Sequence, residues 1–434
     1  MAIWIKDGTL VDPEKGTVES MDLIIERGRI KRILPPGTFQ EPGERLRVIN
    51  AEGNIVVPGL IDMHVHLREP GHEYKENVAT GARSGVAGGY TAVACMPNTQ
   101  PVNDVSSVTR FIIRQASQAN LLKVYPIGAI TKGLKGETLT DFGDLRSAGA
   151  VGVSDDGCAV ANSEVMRRAM EYARYHGLTI ISHCEDVHLS AGGAMHEGAV
   201  STQIGLPGIP GESEEIMVQR EICLAKLTRC PVHIAHVSTS GAVEMIRRAK
   251  EDGIPVTAET APHYFSLDHT AVIGYNTSAK MNPPLRRIED VEAVKKGLSD
   301  GVIDVIATDH APHSALEKEV EFDQAAFGII GLETALPLVL VLVRDNVLTL
   351  AEAIKKLTHH PATILGIEGG SIKEGQTADC SVIDTGHEYI YKMEDIQSRS
   401  KNSPFIGKKM KGICVLTMVG GRIVWERNKG HFSR

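Results

Sequence analysis

The first residues able to do chemistry are Asp62-Met63-His64-Val65-His66-Leu67, at the end of the apolar run 54–61. Side chains at i and i+2 of a strand share a face, so His64 and His66 aim two imidazoles at one point. Two imidazoles begin a metal site without completing it. A borderline ion such as Zn2+ needs further N or O donors. The chain must supply them from other strand ends.

It does so four more times. The run 151–154 leads to Asp155-Asp156-Gly157, and the run 179–183 ends in Ser182-His183. The run 232–236 spans His233 to His236, and the run 304–308 leads into Asp309-His310. With one Asp of the 155/156 pair, these ends offer four histidines and two carboxylates. Six such donors are too many for one tetrahedral ion. They suit two ions sharing a bridging carboxylate and a bridging hydroxide. Each residue has an ordinary alternative: a His can bind a buried carbonyl, Asp309 can cap a helix, and Asp155-Asp156-Gly157 can be a turn. Five ends converging by accident is the weaker account. His233 and His236 lie three apart, so on a strand they face opposite ways, and His236, nearer the end, is taken as the inward one. His176, His188, His196, His269, His359, His360, His387 and His431 fall in helices, loops or termini and read as surface or capping residues. His263 lies close to a strand end, and its role stays open.

Eight strand candidates hold these residues: 61–66, 90–96, 123–130, 151–154, 179–183, 232–236, 255–260 and 304–308. Helical stretches intervene at 105–118, 163–176, 214–227, 242–251 and 288–298, and two more follow at 332–344 and 350–357. This alternation predicts an α/β fold, a (β/α)8 TIM barrel, whose active site lies at the C-terminal ends of the strands. No GxGxxG follows the first strand, which argues against a dinucleotide fold. Both chain ends carry short hairpin-like runs split by turn residues such as Asp7-Gly8, Arg27-Gly28 and Gly420-Gly421. Together they predict a small β-sandwich from 1–56 plus 366–434, around a barrel of 57–365. The long loops 185–211 and 310–331 are placed to carry or cover the site.

Composition excludes several classes. The 434 residues carry a net charge of −8, so no basic face points to nucleic acid. No apolar stretch approaches the ~18 residues of a membrane span. The N-terminus lacks the basic and apolar regions of a secretion signal. Seven cysteines without CxxC spacing read as buried thiols of a reducing cytosol, so a cytoplasmic location is expected.

Pro58-Gly59-Leu60-Ile61-Asp62-Met63-His64-Val65-His66-Leu67-Arg68-Glu69-Pro70-Gly71 resembles a motif of the cyclic amidohydrolases, and with Arg68-Glu69-Pro70-Gly71 it is similar to the dihydroorotase family in particular. Ala94-Cys95-Met96-Pro97-Asn98-Thr99, Ala307-Thr308-Asp309-His310-Ala311-Pro312-His313 and Ala326-Phe327-Gly328 match as well. The resemblance spans almost the whole chain. It implies two Zn2+ ions, with ligands at His64, His66, His183, His236 and Asp309. Many relatives bridge the ions with a carboxylated lysine after the fourth strand. No Lys stands there, and Asp156 resembles the substitution seen in the long-chain bacterial type.

Such a site supplies a zinc-bound water acidified to a pKa of about 7 and a Lewis acid for the carbonyl. Asp309 would be the catalytic residue, shuttling a proton from the nucleophile to the leaving nitrogen. The resemblance implies reversible cyclisation of N-carbamoyl-L-aspartate to dihydroorotate in pyrimidine synthesis. The planar fork of Arg68 suits the substrate carboxylate. By resemblance His66, Asn98, Asn282, His313, Phe327 and Gly328 complete the substrate contacts. A dimer, and association with aspartate carbamoyltransferase, are further expectations from relatives. The rival readings are a hydantoinase, dihydropyrimidinase or allantoinase, and a non-catalytic amidohydrolase-like subunit. Arg68 and the absent lysine argue against the first, the retained ligand set against the second.

Overall fold

The computed structural model describes residues 2–39 and 46–427; Met1 and His431 lie outside them. Eight parallel strands form the barrel in sequence order: Leu60–Val65, Tyr90–Cys95, Lys123–Ala129, Gly152–Ser154, Thr179–Ser182, Val232–Ile234, Val256–Thr260 and Val305–Ile306. The eighth meets the first through a parallel bridge between Val65 and His310. Parallel barrel strands are covered on both faces and so read as near-continuous apolar runs. Every residue of Leu60–Val65 is buried, Asp62 and His64 included.

Asp62 has a structural role at this seam. Its carboxylate accepts from the Thr308 amide at 3.2 Å and the His64 amide at 3.0 Å, joining the eighth strand to the first. Burial pushes its pKa up to about 7 despite these bonds.

Most expected helices form near their predicted places; Ser163–His176 is capped by the Asn162 side chain and ends at Gly177. Six helices lie outside the expected stretches: Val78–Gly88, Phe142–Ala148, Ala199–Ile204, Pro262–Ser266, Ala315–Lys318 and His359–Leu365. The first is rich in glycine because neighbours press on it. A Cβ on Gly88 would lie 2.0 Å from the Leu332 carbonyl oxygen.

The two termini share an eight-stranded sheet. Ile55–Pro58 lies between Cys380–Ile390, to which it is antiparallel, and Ala2–Asp12, to which it is parallel. Ile5, Leu23, Ile25, Val56, Val382 and Met418 meet in one apolar cluster. Gly59 then passes the chain straight into the first barrel strand.

Two expectations need correction. Five cysteines are buried, but Cys158 and Cys223 are exposed. His196 is no surface residue: it is 5% exposed, and its Nδ1 accepts from Arg286 Nη1 at 3.3 Å.

Candidate active site

The barrel strands end earlier than the apolar runs suggest, and the residues just beyond them form the rim. His66, Asp156, His183, His236 and Asp309 all lie past the last ladder residue of their strands. Three rim residues, Arg68, His236 and Asp309, have φ of 59°, 35° and 46°. A left-handed backbone at a non-glycine residue costs about 1–3 kcal/mol and concentrates at functional sites. Here it turns side chains that strand geometry would send elsewhere.

His233 and His236 do not lie on opposite faces of one strand as expected, because the strand stops at Ile234. Both histidines are buried beside the same network. His236 reaches the rim, and His233 Nε2 donates to Glu259 Oε2 at 3.2 Å.

Asp156 lies at the centre. Its Oδ1 is 3.3 Å from His64 Nε2 and 3.6 Å from both His183 Nδ1 and His236 Nε2. Its Oδ2 is 3.4 Å from His66 Nε2. Asp309 Oδ1 lies 3.1 Å from His66 Nε2 and 3.6 Å from His64 Nε2. Asp155 turns away, accepting from the amides of Ile130 at 2.8 Å and Thr131 at 3.0 Å. Of the two, Asp156 is the one that faces the histidines.

The partners of the imidazoles select their tautomers. His64 Nδ1 donates to Glu259 Oε1 at 2.6 Å, His66 Nδ1 to Asn98 Oδ1 at 2.9 Å, and His183 Nε2 to Glu185 Oε2 at 2.8 Å. The other ring nitrogens face the rim carboxylates: His64 Nε2 lies 3.3 Å and His183 Nδ1 3.6 Å from Asp156 Oδ1, and His66 Nε2 lies 3.1 Å from Asp309 Oδ1. Glu259 and Glu185 were missed in the sequence, although Glu259 sits on an alternating strand in plain view of the rim.

This donor set fits a cation. His64 Nε2 and Asp156 Oδ1 are buried without a hydrogen-bond partner. His183 Nδ1 and His236 Nε2 face each other at 2.8 Å. Two groups, His64/Asp156/His236 and His64/His66/Asp309, each bring three ligand atoms within 4.8 Å of one another. Burial opposes charge on His64, yet Asp156, Asp309 and Glu259 raise its pKa well above the ordinary imidazole range. Burial likewise opposes ionised Asp156 and Asp309, but the imidazoles hold both below the usual carboxylate range. A buried site that stabilises positive charge this strongly is suited to a metal. His263, left open by the sequence, is buried nearby; burial drives its pKa down to about 4, and it stays neutral.

A cavity of about 300 Å³ opens above the rim. Arg68, Asn98, Asn282, His313 and Phe327 line its walls. Arg68 Nη2 donates to His313 Nε2 at 3.2 Å, and its Nε to the Pro312 carbonyl at 3.3 Å. Burial, then the Arg68 charge, push the His313 pKa down to about 2, so the ring is neutral. Gly328 follows Phe327 with φ 155°, and a Cβ there would lie 2.5 Å from the Ala311 carbonyl oxygen and 2.7 Å from His313 Cδ2. Only glycine lets the 326–330 stretch approach His313 this closely.

Solved structures of hydantoinases and dihydropyrimidinases share this architecture. An L-hydantoinase (dihydropyrimidinase) from Arthrobacter aurescens superposes with a TM-score of 0.87 at 25% identity, covering 100% of this chain and 97% of that one. A dihydropyrimidinase from Brevibacillus agri gives 0.84 at 21% identity over 98% and 95%. A model of the amidohydrolase family matches residues 264–425, so the fold and site define a member of that class. A dihydro-orotase-like model matches residues 53–242. Dihydroorotases of Geotalea daltonii and Geobacter sulfurreducens are 51% and 53% identical, over 99% and 98% of this chain and 100% of each relative. The chain belongs to the dihydroorotase family.

Proposed function

We propose that this hydrolase of cyclic amide C–N bonds interconverts N-carbamoyl-L-aspartate and (S)-dihydroorotate, closing the ring in pyrimidine synthesis. The observation that carries this reading is the Arg68–His313 pair, which faces the same cavity as the histidine and aspartate donors. A cyclic amide bearing a carboxylate needs that combination. Two Zn2+ ions are proposed, held by His64, His66, Asp156, His183, His236 and Asp309. When bound, they would acidify a water and polarise the ring carbonyl.

The chain's own groups do the rest. Arg68 takes the substrate carboxylate, with Asn98 and His313 beside it. The Oδ1 of Asn98 is occupied by His66, so its amide nitrogen remains to donate. Asn282, His66 and the Phe327–Gly328 backbone orient the ring. Asp309 accepts the proton of the attacking water and returns it to the ring nitrogen as the C–N bond breaks. In the synthetic direction the same carboxylate removes the proton from the attacking amide nitrogen.

No helix among the described residues is long and apolar enough to cross a membrane. A cytoplasmic location, a homodimer and association with aspartate carbamoyltransferase belong to the same proposal. The test is an assay of the purified, metal-loaded protein on carbamoyl-aspartate, dihydroorotate, hydantoin and allantoin, with metal counted per chain. Turnover of hydantoin or allantoin without dihydroorotate overturns the assignment.

A further inference from the structure

The terminal sheet sends one segment back to the active site. Between the strands Cys380–Ile390 and Lys409–Val419, residues 396–403 run along the barrel rim. Asn402, 5% exposed, sits where this segment meets the 310–331 loop. Its Oδ1 accepts from the His313 amide at 3.0 Å. Its Nδ2 donates to the carbonyls of Ala311 at 2.9 Å and Gly328 at 3.0 Å. Its own carbonyl accepts from the Ile330 amide at 3.0 Å. One residue thus ties the stretch carrying His313 to the stretch carrying Phe327 and Gly328.

The same segment grips the loop that follows Arg68. Ser398 Oγ donates to Glu76 Oε2 at 2.5 Å, and Ser400 Oγ to the Lys75 carbonyl at 2.6 Å. Glu76 is fully buried and lies 3.5 Å from His310 Nε2. Arg68 and His313 therefore sit between two loops that are both fastened to residues 398–402.

We propose that Asn402, presented by the terminal-sheet segment, is a positioning residue that sets the Arg68–His313 clamp and the Phe327–Gly328 wall for substrate. This rests on the reading of Arg68 and His313 as the carboxylate clamp. Asn402 touches no reacting atom; its effect passes through backbone groups. An unpaired buried amide or carbonyl is expensive, so losing the side chain frees the loop rather than leaving it in place.

The test uses the full-length, metal-loaded protein with Asn402→Ala and Asn402→Asp. Asn402→Ala raises KM for dihydroorotate by at least ~10-fold with kcat within about 3-fold, the scale of a lost buried hydrogen-bond set. Asn402→Asp keeps the acceptor for His313 but sets an oxygen against two carbonyls, so KM rises further. Metal content stays at the wild-type value. Without substrate, the His313 and Ile330 amides exchange hydrogen faster in both variants. A folded variant with KM within twofold of wild type, or with reduced kcat and unchanged KM, overturns the proposal. If neither variant folds, exchange in the wild type decides: His313 and Ile330 amides as fast as exposed loop amides overturn it, and slow exchange supports it. A wild type inert on dihydroorotate, with exchange still accelerated in the variants, sinks the substrate assignment and leaves the brace standing.

Discussion

Glu259→Gln isolates the part of the site that no ligand list contains. Glu259 is 1% exposed and accepts from His64 Nδ1 at 2.6 Å and His233 Nε2 at 3.2 Å. The substitution preserves volume. The amide oxygen still accepts from His64, and His233 can change tautomer, donating through Nδ1 to Thr257 Oγ1 at 2.8 Å. The fold is therefore retained. What disappears is a full negative charge behind His64, which makes its Nε2 a stronger donor to a cation. Losing such a partner typically lowers metal affinity or activity 10- to 100-fold, or about 1.4–2.7 kcal/mol. Competition of wild type and variant against a chromophoric zinc chelator measures the loss directly. Circular dichroism and the unfolding midpoint confirm the fold. A folded variant whose zinc affinity stays within twofold of wild type refutes the reasoning, because His64 would then need no carboxylate behind it.

Three further predictions follow from the same geometry. Asp309→Asn keeps the shape of the rim but removes the proton carrier, so kcat falls by about 10²–10⁴-fold while most of the metal stays bound, as steady-state kinetics and metal analysis would show. Arg68→Met removes charge-assisted bonds worth about 1.5–3 kcal/mol, so KM for dihydroorotate rises roughly 10- to 150-fold; unchanged kinetics would remove Arg68 from the substrate site. His196 bears on stability, because burial, then Arg286, depress its pKa from 6.5 to about 4. The folded state thus binds this proton more weakly than the unfolded chain, so the contribution is intact above pH 6.5 and is lost as pH falls towards 4. His196→Gln flattens that acid limb in urea midpoints measured from pH 7 to pH 4.5; an unchanged slope would show that His196 does not carry it.

The readable parts of the sequence were those with local periodicity. Alternating apolar runs and helices placed eight strands in order, and the helix Ser163–His176 forms over the stretch read for it. The glycine-rich helix Val78–Gly88 did not, because its small residues answer to close neighbours such as Leu332 rather than to an amphipathic pattern. The rim histidines and Asp309 were visible as polar residues at the ends of apolar runs. Their directions were not, because His236 and Asp309 leave the strand through left-handed backbone.

What the sequence determined by itself is the chemistry available: histidines and carboxylates at five strand ends, and an arginine two residues past His66. These follow from residue type and short-range spacing. The tertiary structure alone decided how they are used. It turned Asp156 inward and tied Asp155 to the Ile130 and Thr131 amides. It placed Glu259 behind His64 across 195 residues of sequence, and brought Asn402 to His313 across 89. Closing the barrel juxtaposes residues whose separation along the chain carries no periodic signal, so only the folded backbone reveals which donors converge and which neighbours hold them.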